Sequence, residues 1–325
     1  MINKIIYSFL IFTISISFVL IFLVYQKKEI KQPVIFEVKN GETVKEISKQ
    51  LEQKEIVEHW QIMYLLTRIR NQTLKKGTYE FKGNLSPDDV WKILTTGKEK
   101  LFSITIVPGD NLFIIAGKLQ DKKIVPKEEF LKFSFNPENV KKYNLKGNSF
   151  EGYFPPETYM FRRNEKIENV VNKFLSVFNE RYLPYSKKFK NIDFYDAMKI
   201  ASMVEKETAI PEEKPIIAGI ILNRLKKRMH LQIDATVIYA MYLENKWKGS
   251  IKKSDLKNVK SPFNTYLNYG LPPTPICSFS IETLDSVLNY KKTNYLYYLS
   301  VDNQKHIFSE DYKRHKEIIK NFKHH

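Results

Sequence analysis

Residues 5–24, IIYSFLIFTISISFVLIFLV, run for 20 positions without a charge, between Lys4 and the Lys27-Lys28 pair. At roughly 1.5 Å per helical residue, about 20 apolar residues span the hydrocarbon core of a bilayer. A cleaved leader would have a shorter apolar stretch with a small-x-small site after it, and none follows. The sequence therefore predicts an uncleaved, single-pass anchor at 1–28 with one soluble body behind it. Lys27, Lys28 and Lys31 outnumber Lys4, so the positive-inside rule alone does not place that body outside the cytoplasm.

The remaining composition narrows the class. With 325 residues, 43% of them apolar, the chain can bury a sizeable core, and about two domains are expected. A disordered chain and a polytopic transporter are both excluded. Cys277 stands alone, which rules out an internal disulfide framework and a Cys-based zinc site. Lys and Arg number 53 against 36 Asp and Glu, a net charge of +17. That balance suits nucleic acid, anionic lipid or a carboxylate-bearing polymer. There is no P-loop, G-x-G-x-x-G, G-x-S-x-G or H-E-x-x-H, so nucleotide, hydrolase and metalloprotease classes fall away. Neither a cofactor nor a metal is expected.

Periodicity divides the body in two. Residues 33–39 (PVIFEVK) alternate like a strand, and Gly41-Glu42-Thr43 leads into Val44, Ile47 and Leu51 at helical spacing. A helix follows over about 59–70, and a return strand at 77–81. Ser86-Pro87-Asp88-Asp89 starts another helix, which Gly97 ends. Residues 101–107 alternate again, and Pro108-Gly109-Asp110 opens a further helix. We therefore expect an α+β fold in which 33–145 forms a membrane-proximal module of two similar strand–helix units. Residues 146–325 form a second, mixed α+β domain. Within it the periodicity predicts a helix from about 166 to 182 and another from about 193 that ends before Pro211. Asp234 and Ser280 are expected to cap helices, residues 295–301 and 306–308 to pair as strands, and Ser309 to cap the last helix.

Chemistry is concentrated where the helix from Asp193 ends, at Glu205-Lys206-Glu207-Thr208. Two positions on a helix differ by roughly 200°, so Glu205 and Glu207 cannot share a face. Glu207 follows Ile200, Met203 and Val204 and so extends the apolar stripe, while Glu205 lies on the other side. A carboxyl held against apolar groups has a raised pKa, which suits a general acid near neutral pH. The alternative is a glutamate facing solvent beyond the helix end.

Ala201-Ser202-Met203-Val204-Glu205-Lys206-Glu207-Thr208, Asn223-Arg224-Leu225 and 231–239 (LQIDATVIY) follow one another in an order and spacing that resemble the MltG (YceG-like) family of endolytic murein transglycosylases. Ser261-Pro262-Phe263-Asn264-Thr265-Tyr266 with Gly270-Leu271-Pro272-Pro273 is similar to a further signature. Glu151-Gly152, Pro156-Glu157-Thr158-Tyr159 and His306-Ile307-Phe308-Ser309 complete the series. The stretch around Gly41-Glu42-Thr43 is similar to the family's LysM-like module. Departures fall at Glu157, Ile233, Ala235 and Thr274, where the family tends to carry Asp, Thr, Pro and Gly.

The resemblance implies a lyase that cuts MurNAc-GlcNAc bonds within nascent peptidoglycan strands, leaves 1,6-anhydroMurNAc ends and so terminates glycan elongation. It implies Glu207 as the catalytic acid/base, with Glu205 as the fallback. Gln232, Asn223, Arg224, Thr236, Asn264, Tyr266 and Glu157 become candidates for substrate contact, and Tyr153 and Tyr159 for stacking on sugars. The implied partners are glycan strands, the plasma membrane through one helix and, as candidates, wall-synthesis enzymes, with the body on the extracytoplasmic side. Nucleic acid is not expected. A non-catalytic glycan-binding scaffold on the same fold is the competing reading.

Overall fold

The structure, a computed structural model, describes residues 2–301 and 305–322; residues 302–304 and 323–325 of the expected second domain lie outside it. The chain divides into two compact units, Met1–Phe102 and Ser103–His325.

The first unit opens with helix α1 (Ile2–Tyr25), of which Lys4–Tyr25 is long and apolar enough to cross a membrane. Thr13, Ser15 and Ser17 return their hydroxyls to carbonyls three or four residues back, at 2.9 Å each, so these three donors are satisfied within the helix itself. Strand β1 (Lys28–Val38) follows, then α2 (Val44–Gln53), α3 (Trp60–Arg70), β2 (Gly77–Leu85) and α4 (Pro87–Thr96). β1 and β2 pair antiparallel, with Phe36 opposite Tyr79 and Val34 opposite Phe81. Both expected helix starts are capping boxes, Thr43 with Glu46 and Ser86 with Asp89. Phe36, Ile47, Leu51, Met63, Tyr79, Phe81 and Leu94 fill the core of this unit.

The second unit contains β3 (Phe102–Ile106), α5 (Leu112–Asp121), α6 (Lys127–Ser134), α7 (Pro137–Lys142), β4 (Glu157–Phe161) and α8 (Ile167–Val177). A π turn over Phe178–Tyr182 and a 3-10 turn over Leu183–Lys187 lead to α9 (Phe194–Glu207) and α10 (Lys214–Lys226). Then come α11 (Asp234–Leu243), α12 (Asp255–Asn258), α13 (Ile281–Leu288), β5 (Tyr297–Val301), β6 (Lys305–Ser309) and α14 (Tyr312–Phe322). β3 pairs with β4, and β5 with β6 as an antiparallel hairpin.

The expected boundary at 145/146 is therefore corrected to 102/103. Ile104, Ile106, Leu112, Ile115 and Leu119 share one core with Phe150, Phe174 and Val204, and β3 finds its partner in β4. Two strand–helix units of one module do not form: the first completes its own two-stranded sheet, and the second is built into the domain that follows. Local signals could not separate them, because strand pairing is decided by non-local packing.

α9 runs through the middle of this second core and packs on α10, α11 and α13. Asp193 caps it through Tyr195 N at 2.9 Å. Ala197, Ile200, Ala201, Met203 and Val204 are all essentially inaccessible. Where α10 passes the chain after α13, Gly219 leaves room for the backbone: a Cβ there would lie 2.4 Å from the Lys291 carbonyl oxygen. Two expected caps differ. Asp234 is the first residue of α11 and makes no capping bond, and the start of α14 is held by Asp311 accepting from Arg314 N rather than by Ser309. Tyr153, Tyr159 and Cys277 are core residues, so the two tyrosines present no face to a ligand.

Glu151, wholly buried, ties the start of α5 to this core by accepting from Leu112 N at 3.1 Å. Its other oxygen faces the equally buried Tyr239 hydroxyl without a well-formed hydrogen bond. Burial pushes this carboxyl from 4.5 up to about 8. The neutral form is thus the stable one in the folded chain. The stability it contributes is complete below the ordinary carboxylate pKa and is lost as pH rises through about 8. Glu151→Gln should flatten the fall in melting temperature between about pH 5 and about pH 8, read by thermal unfolding across that range.

Candidate active site

The two glutamates at the end of α9 have opposite environments. Glu205 has its side chain 6% exposed and 2.9 Å from the ammonium of Lys214 on α10. Ser280 N donates to it at 2.8 Å, Ser280 Oγ at 3.0 Å and Thr283 Oγ1 at 2.5 Å. Burial pushes its carboxyl up, but the bonds from Lys214, Thr283 and Ser280 outweigh that and hold it below the ordinary value. The side chain expected on the less apolar face is thus locked between α10 and the start of α13. All its acceptor capacity is committed to holding three helices together.

Glu207, half-buried, receives one hydrogen bond, from the Tyr298 hydroxyl of β5 to Oε2 at 2.8 Å. Its pKa is raised. Burial is the main cause, and the Asp234 carboxylate adds to it. The Tyr298 hydrogen bond and the interactions with His306 and the Arg224 guanidinium act in the opposite sense. A carboxyl whose protonated form is favoured by its surroundings, with an oxygen still uncommitted, can donate that proton to a bound oxygen and take one back.

Tyr298 is positioned by the β5–β6 hairpin. In its register Tyr298 lies opposite Phe308 and Ser300 opposite His306, so these four share a face. The His306 ring meets the Tyr298 ring edge-on at 5.4 Å. His306 is itself fixed by Glu213: its backbone N donates to Oε1 at 2.8 Å, and its Nδ1 lies 2.7 Å from Oε2. Thr208 Oγ1, one residue beyond Glu207, also donates to Glu213 at 2.9 Å. Burial raises the Glu213 carboxyl, but the bonds from His306 and Thr208 leave it lowered overall. On the opposite side of the cluster the Tyr266 hydroxyl donates to Asp234 at 2.6 Å.

The residues singled out in the sequence fall into two groups. Arg224, Tyr266 and Glu207 come together, the first two acting on Glu207 electrostatically or through Asp234. Gln232, exposed and at φ +53°, forms the left-handed turn immediately before α11. The others, and the Arg224 guanidinium as well, bind backbone or neighbouring side chains of the scaffold. Asn223 donates to the carbonyls of Thr293 and Tyr295 at 2.7 and 3.0 Å. The Arg224 guanidinium reaches the carbonyls of Leu296, His230 and Leu231. Thr236 is buried against Thr265 and Ile233 O, and Asn264 donates to Leu256 and Val259 carbonyls. Glu157, the first residue of β4, pairs with Arg181 at 2.8 Å, and no bond from it to the Glu207 cluster is found among the described residues. Asp234, Glu213 and Tyr298 were not singled out as site residues. The aromatic strand and the His306 motif marked their neighbourhood, but not which side chain would face the acid. Among the described residues no cluster of three or more His, Cys, Asp or Glu could hold a metal ion.

A half-buried acid with a raised pKa, framed by tyrosines and an arginine at the meeting of a helix end and a β-hairpin, has the chemistry to exchange a proton with a group bound beside it. Residues 36–321 match the model of the YceG-like family, and the chain belongs to that family. It is similar to the endolytic murein transglycosylase of Streptococcus pneumoniae (serotype 2 strain D39), 31% identical over 303 residues. That match covers 83% of this chain and 54% of the relative, so the chain spans about half the pneumococcal protein's length. The protein of the same name from Bacillus subtilis (strain 168) is 28% identical over 310 residues, covering 89% of this chain and 84% of that one. A 2.6 Å crystal structure of a yceG-like protein from Listeria monocytogenes covers 89% of this chain and 100% of that chain, with a TM-score of 0.60 and 28% identity.

Because Glu205 balances a nearly buried Lys214, Glu205→Gln should act on the fold. It leaves an uncompensated ammonium inside and should cost about 3–5 kcal/mol, measured by denaturant unfolding.

Proposed function

We propose that this chain is a membrane-anchored endolytic murein transglycosylase with Glu207 as its acid and base. The observation that carries the reading is the division of labour at the end of α9. One carboxyl is saturated and ionised, the other is raised and half free, in a chain whose family relatives bear that enzyme name. In the proposed reaction Glu207 gives its proton to the MurNAc-GlcNAc glycosidic oxygen and the C1–O bond breaks. Positive charge develops at C1, and the sugar's own 6-hydroxyl oxygen bonds to C1. The hydroxyl proton returns to the Glu207 carboxylate, leaving a 1,6-anhydroMurNAc end and no new reducing end. Ordinary glycosidases require two carboxylates to manage an external nucleophile. An internal hydroxyl works at high effective concentration and needs only one. Tyr298 orients the carboxyl, and His306, held by Glu213, supports Tyr298 from behind.

The remaining assignments follow from this reading. α1 anchors the chain in the plasma membrane with everything after it outside the cytoplasm, where the glycan lies. The β–α–α–β order from β1 to β2, closed by an antiparallel pair, supports a LysM-like, glycan-binding module. Cutting nascent strands would end their elongation, which places wall-synthesis enzymes among its candidate neighbours.

Glu207→Gln should retain the fold and lose about 10²–10⁴-fold in the rate of anhydro-ended product formation, followed by mass spectrometry of digested glycan. Comparable rates in that variant would defeat the single-acid mechanism, and binding without product in the native protein would favour the scaffold reading. The working form is protonated, so activity should fall as pH rises through the raised Glu207 pKa. Tyr298→Phe removes a bond that stabilises the carboxylate, so that limb should move to higher pH in a rate profile. A C-terminal reporter active only in the cytoplasm should be silent, and strong signal would defeat the topology and the murein reading together.

A further inference from the structure

A cleft of about 140 Å³ opens between the Gly109–Asn111 turn before α5, Lys206 on α9, Ile238 and Tyr242 on α11, and Trp247. It lies wholly in the second unit. We infer that this cleft is a glycan subsite for a single pyranose ring bearing a carboxylate arm. The inference rests on the murein reading of Glu207 and adds to it the place and chemistry of a neighbouring sugar.

Four observations carry it. The cleft adjoins the acid in sequence from two directions. Lys206 directly precedes Glu207, and the lining residue Ala235 directly follows Asp234, so each wall lies one Cα step of about 3.8 Å from the acid cluster. Its aromatic wall is rigid. The Tyr242 ring is stacked on Phe113 at 5.5 Å and 25°, and the Trp247 ring lies tilted against Tyr242 at 5.8 Å and 34°. Trp247 is only half-buried, which leaves ring surface for the apolar face of a sugar at little entropic cost. The floor carries an uncompensated cation. Lys206 is exposed and makes no ion pair among the described residues, its ammonium meeting only the Gly109 carbonyl at 3.4 Å. Of the acids that adjoin lining residues in sequence, Asp110 is paired with Lys118 and Glu205 with Lys214, while Asp234 accepts from the Tyr266 hydroxyl and Glu207 from that of Tyr298. Asn111 adds an amide: its Oδ1 caps α5 through Ile114 N at 3.0 Å, and its Nδ2 has no partner among the described residues. Finally, the volume is below the roughly 300 Å³ of a site that encloses a whole ligand, which fits one ring of a polymer passing through.

An aromatic platform beside a free ammonium and an amide donor selects a sugar that is both stackable and anionic. In a strand of alternating GlcNAc and MurNAc, only the second carries a lactyl or peptide carboxylate.

The chain has three tryptophans, two of them, Trp60 and Trp91, in the first unit. The full chain in detergent with Trp60→Phe, Trp91→Phe and Glu207→Gln therefore reports on Trp247 alone and does not turn over. Titration with a GlcNAc-MurNAc tetrasaccharide should change Trp247 emission. It should bind about two- to fivefold more tightly than neutral chitotetraose, the increment of an exposed ion pair. That preference should vanish in Lys206→Met and at high salt. Calorimetry on Trp247→Ala should show affinity weakened by about tenfold or more for both sugars. An unchanged Trp247 emission with both oligosaccharides, or a preference that survives Lys206→Met, would overturn the subsite. The two readings fail separately. Anhydro-ended product from the native chain with a silent Trp247 removes the subsite alone. A responsive, Lys206-dependent Trp247 in a chain that never cleaves glycan removes the lyase alone.

Discussion

The Glu205–Lys214 ion pair is the contact on which the second unit's geometry turns. It joins the last turn of α9 to the first residue of α10, and through Ser280 and Thr283 to the start of α13. A charge pair this enclosed is costly to desolvate, and it persists because four donors converge on one carboxylate. What it provides is position. The end of α9 cannot fray, so Glu207, two residues on, is held against β5 instead of drifting into solvent. The energetic burden of the helix end falls on one glutamate, and the other is left with a raised pKa and one committed oxygen. Paired carboxylates with environments that push their pKa values apart are the general pattern by which a site separates structural or ionised roles from acid chemistry.

The β5–β6 hairpin supplies the second half of the site. Its register sets Tyr298, Ser300, His306 and Phe308 on one face, so a tyrosine and a histidine distant from α9 in sequence reach the same carboxyl. Asn223 and Arg224 hold the approach to β5 by its backbone carbonyls, and Arg224 also fixes the residues leading into α11. A two-residue clamp on α10 thus sets both walls around Glu207. These residues belong to the signatures that define the family resemblance, and what they touch here is the scaffold that aims the acid.

Much of this was readable in the sequence, for physical reasons that are local. The apolar run of α1, the capping boxes at Thr43 and Ser86, the left-handed Gly97 and the Ser280 cap all follow from side chains acting within a turn of themselves. The stripe along α9 marked Glu207 as the acid set against apolar groups. The same helical geometry misjudged Glu205, because a wheel shows which side of its own helix a residue occupies and is blind to helices that pack on that side.

The sequence by itself determined a long apolar helix at the N-terminus, the starts of α2, α4, α9 and α13, and the pair of glutamates that ends α9. Each of these depends on residues a few positions apart. Only the tertiary structure decided that residues 103–145 join the second core, that Glu205 is an ionised tie between three helices, and that Tyr298, His306 and Asp234 surround Glu207. Those are meetings of residues tens of positions apart. Burial and Coulomb interactions depend on distance in space, so a carboxyl's pKa is set by neighbours that the linear order of the chain does not reveal.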